Sequence, residues 1–159
     1  MSKINKSILG IGITVLVFSL FWDIYVHNSV ENKINTIQVN AIIEQKEKEL
    51  IFNINPNKQL PKFSSNYIKV LTSEFEKVDL TALRNINDEI YFIERDQDIF
   101  LFKINDEDKE LFQITFQLLE GEKDFNSDDF SIAIESKPYS LWSRNSYLTE
   151  TFLTKISEQ

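Results

Sequence analysis

An apolar segment near the N-terminus constrains this chain more than any other feature. Segment 7–26 is almost entirely apolar; Lys3 and Lys6 precede it, and Asp23 lies near its end. A helix rises about 1.5 Å per residue, so this segment covers roughly the 30 Å hydrocarbon thickness of a bilayer. Because both nearby positive charges precede the span, we predict a transmembrane anchor over 7–26. Residues 1–6 are then cytoplasmic and the remainder is exported.

A cleaved signal peptide is the main alternative to an anchor. Residues 17–19, Val-Phe-Ser, resemble a small-residue cleavage site. The apolar run continues through 20–22 without a polar break, which favours the anchor. A lipoprotein is excluded because the chain has no cysteine to carry the lipid.

The lack of cysteine also limits how the exported part is held together. No disulfide, thiolate metal site or cysteine nucleophile can form. The chain is 42% hydrophobic and 13% aromatic, which is too apolar for a disordered stalk. We predict one exported domain over 36–159, joined to the anchor by a neck over 27–35. The net charge of the chain, −8, argues against nucleic acid and against a second contact with an anionic membrane.

Segment 28–50 is compatible with two structures. As a helix it presents an apolar stripe suited to a short coiled coil. As a strand its apolar residues alternate over 37–43. Strict alternation and β-branching favour a strand from about Thr36, a polar hairpin tip over 44–49 and a return strand ending at Pro56.

The rest of the chain predicts one helix and several strands. Ile68, Leu71 and Phe75 recur at helical spacing, which predicts a helix from Ser64 or Ser65 to about Lys77. Two apolar runs that flank the turn-rich tetrapeptide 95–98 predict a hairpin with strands over 90–94 and 99–104. Period-two alternation predicts strands over 111–119 and 130–135, and a segment rich in Thr and aromatic residues predicts a last strand over about 147–156.

These elements predict a mainly β fold, with α+β possible, arranged as an antiparallel β-meander or a closed barrel. Long strands in a small domain leave unpaired edges unless the sheet closes or pairs with another chain. A partner chain that completes the sheet is therefore one expectation, and self-closure is the other.

Few residues suggest catalysis. His27 is the only histidine and lies at the membrane exit, so neither a Ser-His-Asp triad nor a histidine-based metal site can be built in the domain. The carboxylates over 106–108 fall in a predicted turn, where solvated acidic groups are common. We predict that the protein is not an enzyme and uses no cofactor.

One acidic spacing matches a calcium loop. Asp124, Asn126, Asp128 and Glu135 occupy its first, third, fifth and twelfth places. Asp129 stands where the loop needs glycine, and a strand pattern follows. A solvated turn is the favoured interpretation, and no metal site is predicted.

Two groups of residues are candidates for binding. Phe100, Phe102, Phe112 and Phe116 lie on successive predicted strands, where they form the core or, in a barrel, line an apolar cavity for an amphipathic small molecule. Core packing is the simpler interpretation. Trp142 and Arg144, in a polar loop, are the predicted partner contact, because Trp and Arg are enriched at interface hot spots.

The organisation of the chain resembles the ToxS, VtrC and FidL-like membrane-anchored periplasmic accessory proteins. The stretches that carry this resemblance are 8–22, 37–43, 89–94, 116–119 with 128–129, and 145–149. The resemblance implies a periplasmic partner that is a single-pass transcription regulator, and a lipocalin-like barrel that binds bile salts. It provides no site motif that can be aligned residue by residue.

The expected function is therefore that of a non-enzymatic accessory subunit in a bacterial inner membrane. Its periplasmic domain would pair with a membrane-bound regulator, stabilise it and help to sense a ligand such as a bile salt. Two alternatives are a periplasmic immunity protein against a toxin and a structural subunit of a secretion or pilus platform. The platform alternative is favoured if 28–50 is a coiled coil.

Overall fold

A long N-terminal helix leads directly into a mainly β domain. The computed structural model describes the backbone of residues 3–80, 90–96, 98–105, 108, 110–119 and 125–158. Helix α1 covers Lys3–Ile34, and its part Ser7–Ile34 is long and apolar enough to cross a membrane, as a signal sequence also can be. Two hydroxyls in its apolar half donate back to helix carbonyls, Thr14 to Gly10 at 3.0 Å and Ser19 to Leu16 at 2.8 Å. The helix therefore satisfies these polar groups internally.

The domain contains nine strands in the described part of the chain. They are β1 Gln38–Lys46, β2 Glu49–Pro56, β3 Ser64–Thr72, β4 Ile90–Asp96, β5 Ile99–Ile104, β6 Phe112–Gln117, β7 Phe130–Pro138, β8 Tyr147–Leu148 and β9 Glu150–Glu158. Short 3-10 helices lie at Phe75–Lys77 and Ser127–Asp129.

The strands form two sheets, in the orders β6-β2-β1-β9 and β4-β5-β3-β7-β8. All pairings are antiparallel except that of β1 with β9, which is parallel and joins Gln38 to Glu150. The two sheets do not close into a barrel. The predicted lipocalin-like barrel is therefore wrong. The strand order also differs from that of a meander, because β3 lies between β5 and β7.

The core lies between the sheets and is rich in phenylalanine. Phe52 of the first sheet contacts Phe130 of the second, with ring centroids 5.2 Å apart. Along each strand, alternate side chains point inward, as the pleat requires. In β3, for example, every second residue from Ser64 to Thr72 is buried.

The prediction for the start of the domain is confirmed, and one helix prediction is wrong. β1 begins at Gln38 and pairs with β2 through a turn after Lys46, so the coiled-coil alternative for 28–50 is also wrong. The helix predicted from Ser64 to Lys77 is instead β3 followed by a single 3-10 turn. The inward residues Ile68, Val70 and Thr72 are β-branched and repeat every two positions, a pattern that fits a strand between two neighbours better than a helix.

Candidate functional site

The last three turns of α1 belong to the core of the domain. Val26, Val30 and Ile34 are 0%, 0% and 1% exposed. They recur every four residues and so form one stripe along the helix. In contrast, most large apolar side chains over 8–22 are at least half exposed, for example Phe21 at 67%. Near Asp23 the helix thus changes from a segment with exposed apolar side chains to one that packs against the domain.

Asp23 fastens the helix to a loop of the domain. Its Oδ1 accepts hydrogen bonds from the Ser140 hydroxyl at 2.6 Å and from the backbone N–H groups of Leu141 and Trp142 at 2.8 and 3.3 Å. The residue as a whole is only 9% exposed. Charge-assisted hydrogen bonds of this kind are stronger than neutral ones. We call this contact between Asp23 and residues 140–142 the helix clamp.

One turn further along, His27 meets the second sheet. Its Nδ1 lies 3.1 Å from the Tyr147 hydroxyl, and its Nε2 lies 3.9 Å from Asp23 Oδ2. Burial raises the pKa of Tyr147, and the charge of Glu31 together with its hydrogen bond to the hydroxyl raises that pKa further. The side of the helix that faces the sheet therefore combines an apolar stripe with a line of polar contacts.

An open groove of about 580 Å³ lies between the end of α1 and the loop before β3. Leu60 and Phe63 contribute apolar walls, and Lys33 and Lys62 contribute positive charge. A groove that combines apolar walls with cationic groups can accommodate an amphipathic anion.

A buried polar network holds the loop beside this groove. The amide of Asn66 donates to the Pro61 carbonyl at 3.0 Å, and its oxygen accepts from Ser136 Oγ at 2.6 Å. Ser64 Oγ lies 2.9 Å from the same carbonyl and 3.1 Å from the Asn66 oxygen. Because all three side chains are buried, these hydrogen bonds fix the loop to both β3 and β7.

Glu135 belongs to an ion-pair cluster on the outer face of the second sheet. Its Oε2 lies 3.1 Å from Lys69 Nζ and 3.7 Å from Lys137 Nζ. Burial alone would raise the pKa of Glu135, but the hydrogen bond from Ser146 and the Lys69 ammonium outweigh burial, so its pKa lies below the ordinary value.

The structure does not assemble the described residues of the calcium-loop pattern into one site. Asn126 and Asp128 form a local turn, in which Asn126 N donates to Asp129 Oδ2 at 2.8 Å. Glu135 is engaged with lysines instead. Asp124 and the carboxylates at 106 and 107 lie outside the described residues. Among those described, no group of three or more His, Asp or Glu side chains is arranged to hold a metal ion.

The four phenylalanines proposed to line a cavity lie in the hydrophobic core. Phe100, Phe102 and Phe112 are 0% exposed and Phe116 is 2% exposed. Phe116 contacts the rings of Phe100 and Phe102 at 5.1 and 6.0 Å. Core packing accounts for all four, and the groove at the end of α1 is the better candidate for a small molecule.

The predicted contact residues Trp142 and Arg144 are both exposed, Trp142 at 62%. They lie in the loop that Asp23 holds against the helix, which the sequence analysis did not anticipate. The only signal of this contact in the sequence is Asp23 itself, because a carboxylate that is removed from water needs hydrogen-bond donors. The sequence contains no corresponding signal that points to Ser140.

Comparison with known proteins adds little to these observations. No family model and no curated protein matches the chain. Among solved structures, the chain is similar to the seventh ScaB type I cohesin from Pseudobacteroides cellulosolvens, with 15% identity and a TM-score of 0.38 over 76% of this chain and 90% of that one.

Proposed function

We propose that this chain is a single-pass membrane protein of a bacterial inner membrane, with a cytoplasmic N-terminus and a periplasmic domain. Its role is that of a non-enzymatic accessory subunit, which pairs with a membrane-bound transcription regulator, stabilises it and helps to sense an amphipathic ligand. The resemblance to the ToxS, VtrC and FidL-like proteins supports the identity of the partner. The charges of Lys3 and Lys6 before the span support the orientation.

The observation that carries the proposal is the continuity of helix and domain. α1 runs without a break from the apolar segment into the core, where Val30 and Ile34 are buried. Asp23 also fixes the helix to the loop at Ser140 and Leu141. A domain attached through a flexible linker would lose its orientation, whereas this joint keeps the sheets in a constant position relative to the membrane. A fixed orientation suits a subunit that must meet a partner anchored in the same membrane.

Edge strand β4 is the surface that we assign to the partner. It is the last strand of its sheet in the described part of the chain, and it exposes Tyr91 at 44% and Ile93 at 45%. An edge strand with exposed apolar side chains is suited to pairing with another chain. The other three edges in the described part of the chain are less suitable. β8 has only two residues, and the end of β6 is covered by a bridge from Val78 to Leu118. β9 contacts β7 and the 3-10 helix at Ser127–Asp129 in addition to its neighbour β1.

The groove at the end of α1 is the proposed site for the ligand. Lys33 and Lys62 would pair with an anionic group, while Leu60 and Phe63 would contact an apolar body. A bile salt is one molecule of this class. In this arrangement the ligand contacts both the helix and the loop that precedes β3.

Photo-crosslinking in native membranes tests the partner proposal. A benzophenone amino acid replaces Tyr91 or Ile93 in the full-length chain, and Leu119, which is 48% exposed beyond the end of β6, is the matched control. We expect adducts from the two β4 positions and not from 119, with a single-pass protein bearing a cytoplasmic DNA-binding domain identified by mass spectrometry.

The same experiment separates the alternatives. Recovery of a toxin would support an immunity protein instead, and recovery of a secretion-platform subunit would support a structural role. Equal labelling at all three positions, or a self-adduct alone, would refute pairing through β4.

A further inference from the structure

We infer that the domain rests directly on the lipid bilayer and that the loop held by Asp23 enters its interfacial layer. This inference relies on the proposed membrane anchor. The surface involved surrounds the helix where it leaves the membrane, and we call it the membrane collar. Its residues are Trp22, Tyr25, Phe63, Tyr139, Leu141 and Trp142.

All six collar side chains are exposed. Leu141 is 70% exposed and Trp142 is 62% exposed, and the other four range from 40% to 56%. The ring of Phe63 lies 5.8 Å from that of Trp22 and 6.2 Å from that of Tyr25. These contacts place a domain loop at the level of the helix aromatics. Trp and Tyr prefer this depth in membranes because their rings are amphipathic.

The two domain loops of the collar are joined to each other and to the helix. The Tyr139 N–H donates to the Phe63 carbonyl at 2.8 Å. The helix clamp holds Leu141 and Trp142 to Asp23 through their own backbone N–H groups. The depth of Asp23 in the bilayer therefore sets the depth of both loop side chains.

The length of the apolar helix determines that depth. From Ser7 to Trp22 the helix covers about 24 Å at its normal rise. The hydrocarbon layer is roughly 30 Å thick, so with Ser7 at one boundary Asp23 lies within about 6 Å of the other. Asp23 then reaches the interface, and the collar supplies the apolar surface that the helix lacks there.

The hydrogen bonds of Asp23 make this position tolerable. A carboxylate at the membrane boundary is costly unless donors satisfy it. Ser140 and the two backbone N–H groups supply three donors to its Oδ1. The same loop that satisfies the charge presents Leu141 and Trp142 outward, as expected if lipid surrounds it.

The positive charges beside the membrane collar indicate that it contacts a phospholipid surface. Lys62 and Arg144 are the sequence neighbours of the two loops, and both are exposed. Long cationic side chains at this level can extend to headgroup phosphates while their stems remain in the apolar layer. The carboxylate at this level, Asp23, is already satisfied by the donors of the helix clamp.

The two tryptophans of the chain allow a direct test in phosphatidylcholine nanodiscs. Trp22→Phe leaves Trp142 as the only reporter of the loop, and Trp142→Phe leaves Trp22 as the only reporter of the anchor. A third variant combines both changes with Leu119→Trp, which reports a position beyond the end of β6. Fluorescence is measured with nitroxide quenchers fixed along the lipid chains and with iodide in the water.

We expect lipid nitroxides near the headgroup to quench Trp142 as strongly as Trp22, and iodide to quench both far less than a tryptophan at 119. Strong iodide quenching of Trp142 together with lipid quenching of Trp22 would overturn the inference and leave the anchor intact, and the loop would then be available to a protein. Loss of lipid quenching at both tryptophans would mean that the anchor proposal has failed as well.

Discussion

Replacing Ile34 by alanine tests whether the end of α1 is part of the folded domain. Ile34 is 1% exposed and belongs to the continuous core formed by the two sheets. The substitution removes a buried branched side chain from a position that lies outside every strand. If the helix and the sheets form one cooperative unit, the loss destabilises the whole domain.

The size of the effect follows from burial. Burying an isoleucine side chain contributes about 1.5–3 kcal/mol, and the cavity left by its removal adds to the cost. Buried Ile→Ala substitutions typically cost about 2–5 kcal/mol. Ile34 lies at the end of a helix, where neighbours can relax into the space, so we expect about 2–3 kcal/mol. With a urea dependence of about 2 kcal/mol/M, the unfolding midpoint falls by about 1–1.5 M.

Urea unfolding of the full chain in nanodiscs, followed by circular dichroism of the β signal, measures this change. Ile24→Ala is the matched control, because Ile24 lies on the same helix and is 58% exposed. We expect the control to stay within about 0.5 kcal/mol of the wild type. A midpoint for Ile34→Ala equal to that of Ile24→Ala would refute the claim that the helix end is a core element.

Two further predictions concern polar groups in the second sheet. Because the pKa of Glu135 is lowered on folding, its contribution to stability is fully present above its unfolded pKa and is lost as the pH falls through the lower folded value. Glu135→Gln should therefore flatten the acid side of the stability profile below about pH 4.5, and parallel profiles for variant and wild type would contradict this. Asn66→Ala removes the centre of the buried network and should cost about 1–3 kcal/mol in urea unfolding. The exposed Asn40→Ala should cost less than about 0.5 kcal/mol, and equal losses would count against the network.

The sequence was sufficient to predict those elements whose signal is local. Strict alternation correctly predicted the first hairpin, because Ile37 to Ile43 present one apolar face to the core. The turn-rich segment between β4 and β5 correctly predicted a second hairpin. In β3 the local signal was ambiguous, since Ile68 and Leu71 match a helical period, whereas Ile68 and Val70 match a strand period. Pairing with β5 and β7 on both sides decided the outcome in favour of the strand.

The features that depend on distant residues were not predictable. The partner of Asp23 lies about 120 residues away in the loop at Ser140, and a carboxylate can be satisfied by many different donors. The groove requires the end of α1 and the loop at Leu60 to meet, which only the folded sheets determine. The role of the core phenylalanines was not predictable for a similar reason. Alternation identifies the inward face of a strand, but it does not distinguish a packed core from the lining of a cavity.

The parallel pairing of β1 with β9 has a consequence for biogenesis. β1 is the first strand after α1, whereas its neighbour β9 is the last strand in the described part of the chain. Gln38 therefore pairs with Glu150, which lies far along the chain. Contacts so distant in sequence make folding slow, because the loop must close before the pair forms. In the proposed topology the domain is exported, so the first sheet remains incomplete until its last strand has crossed the membrane. Until then, one side of β1 is open to chaperones or to strands of other proteins.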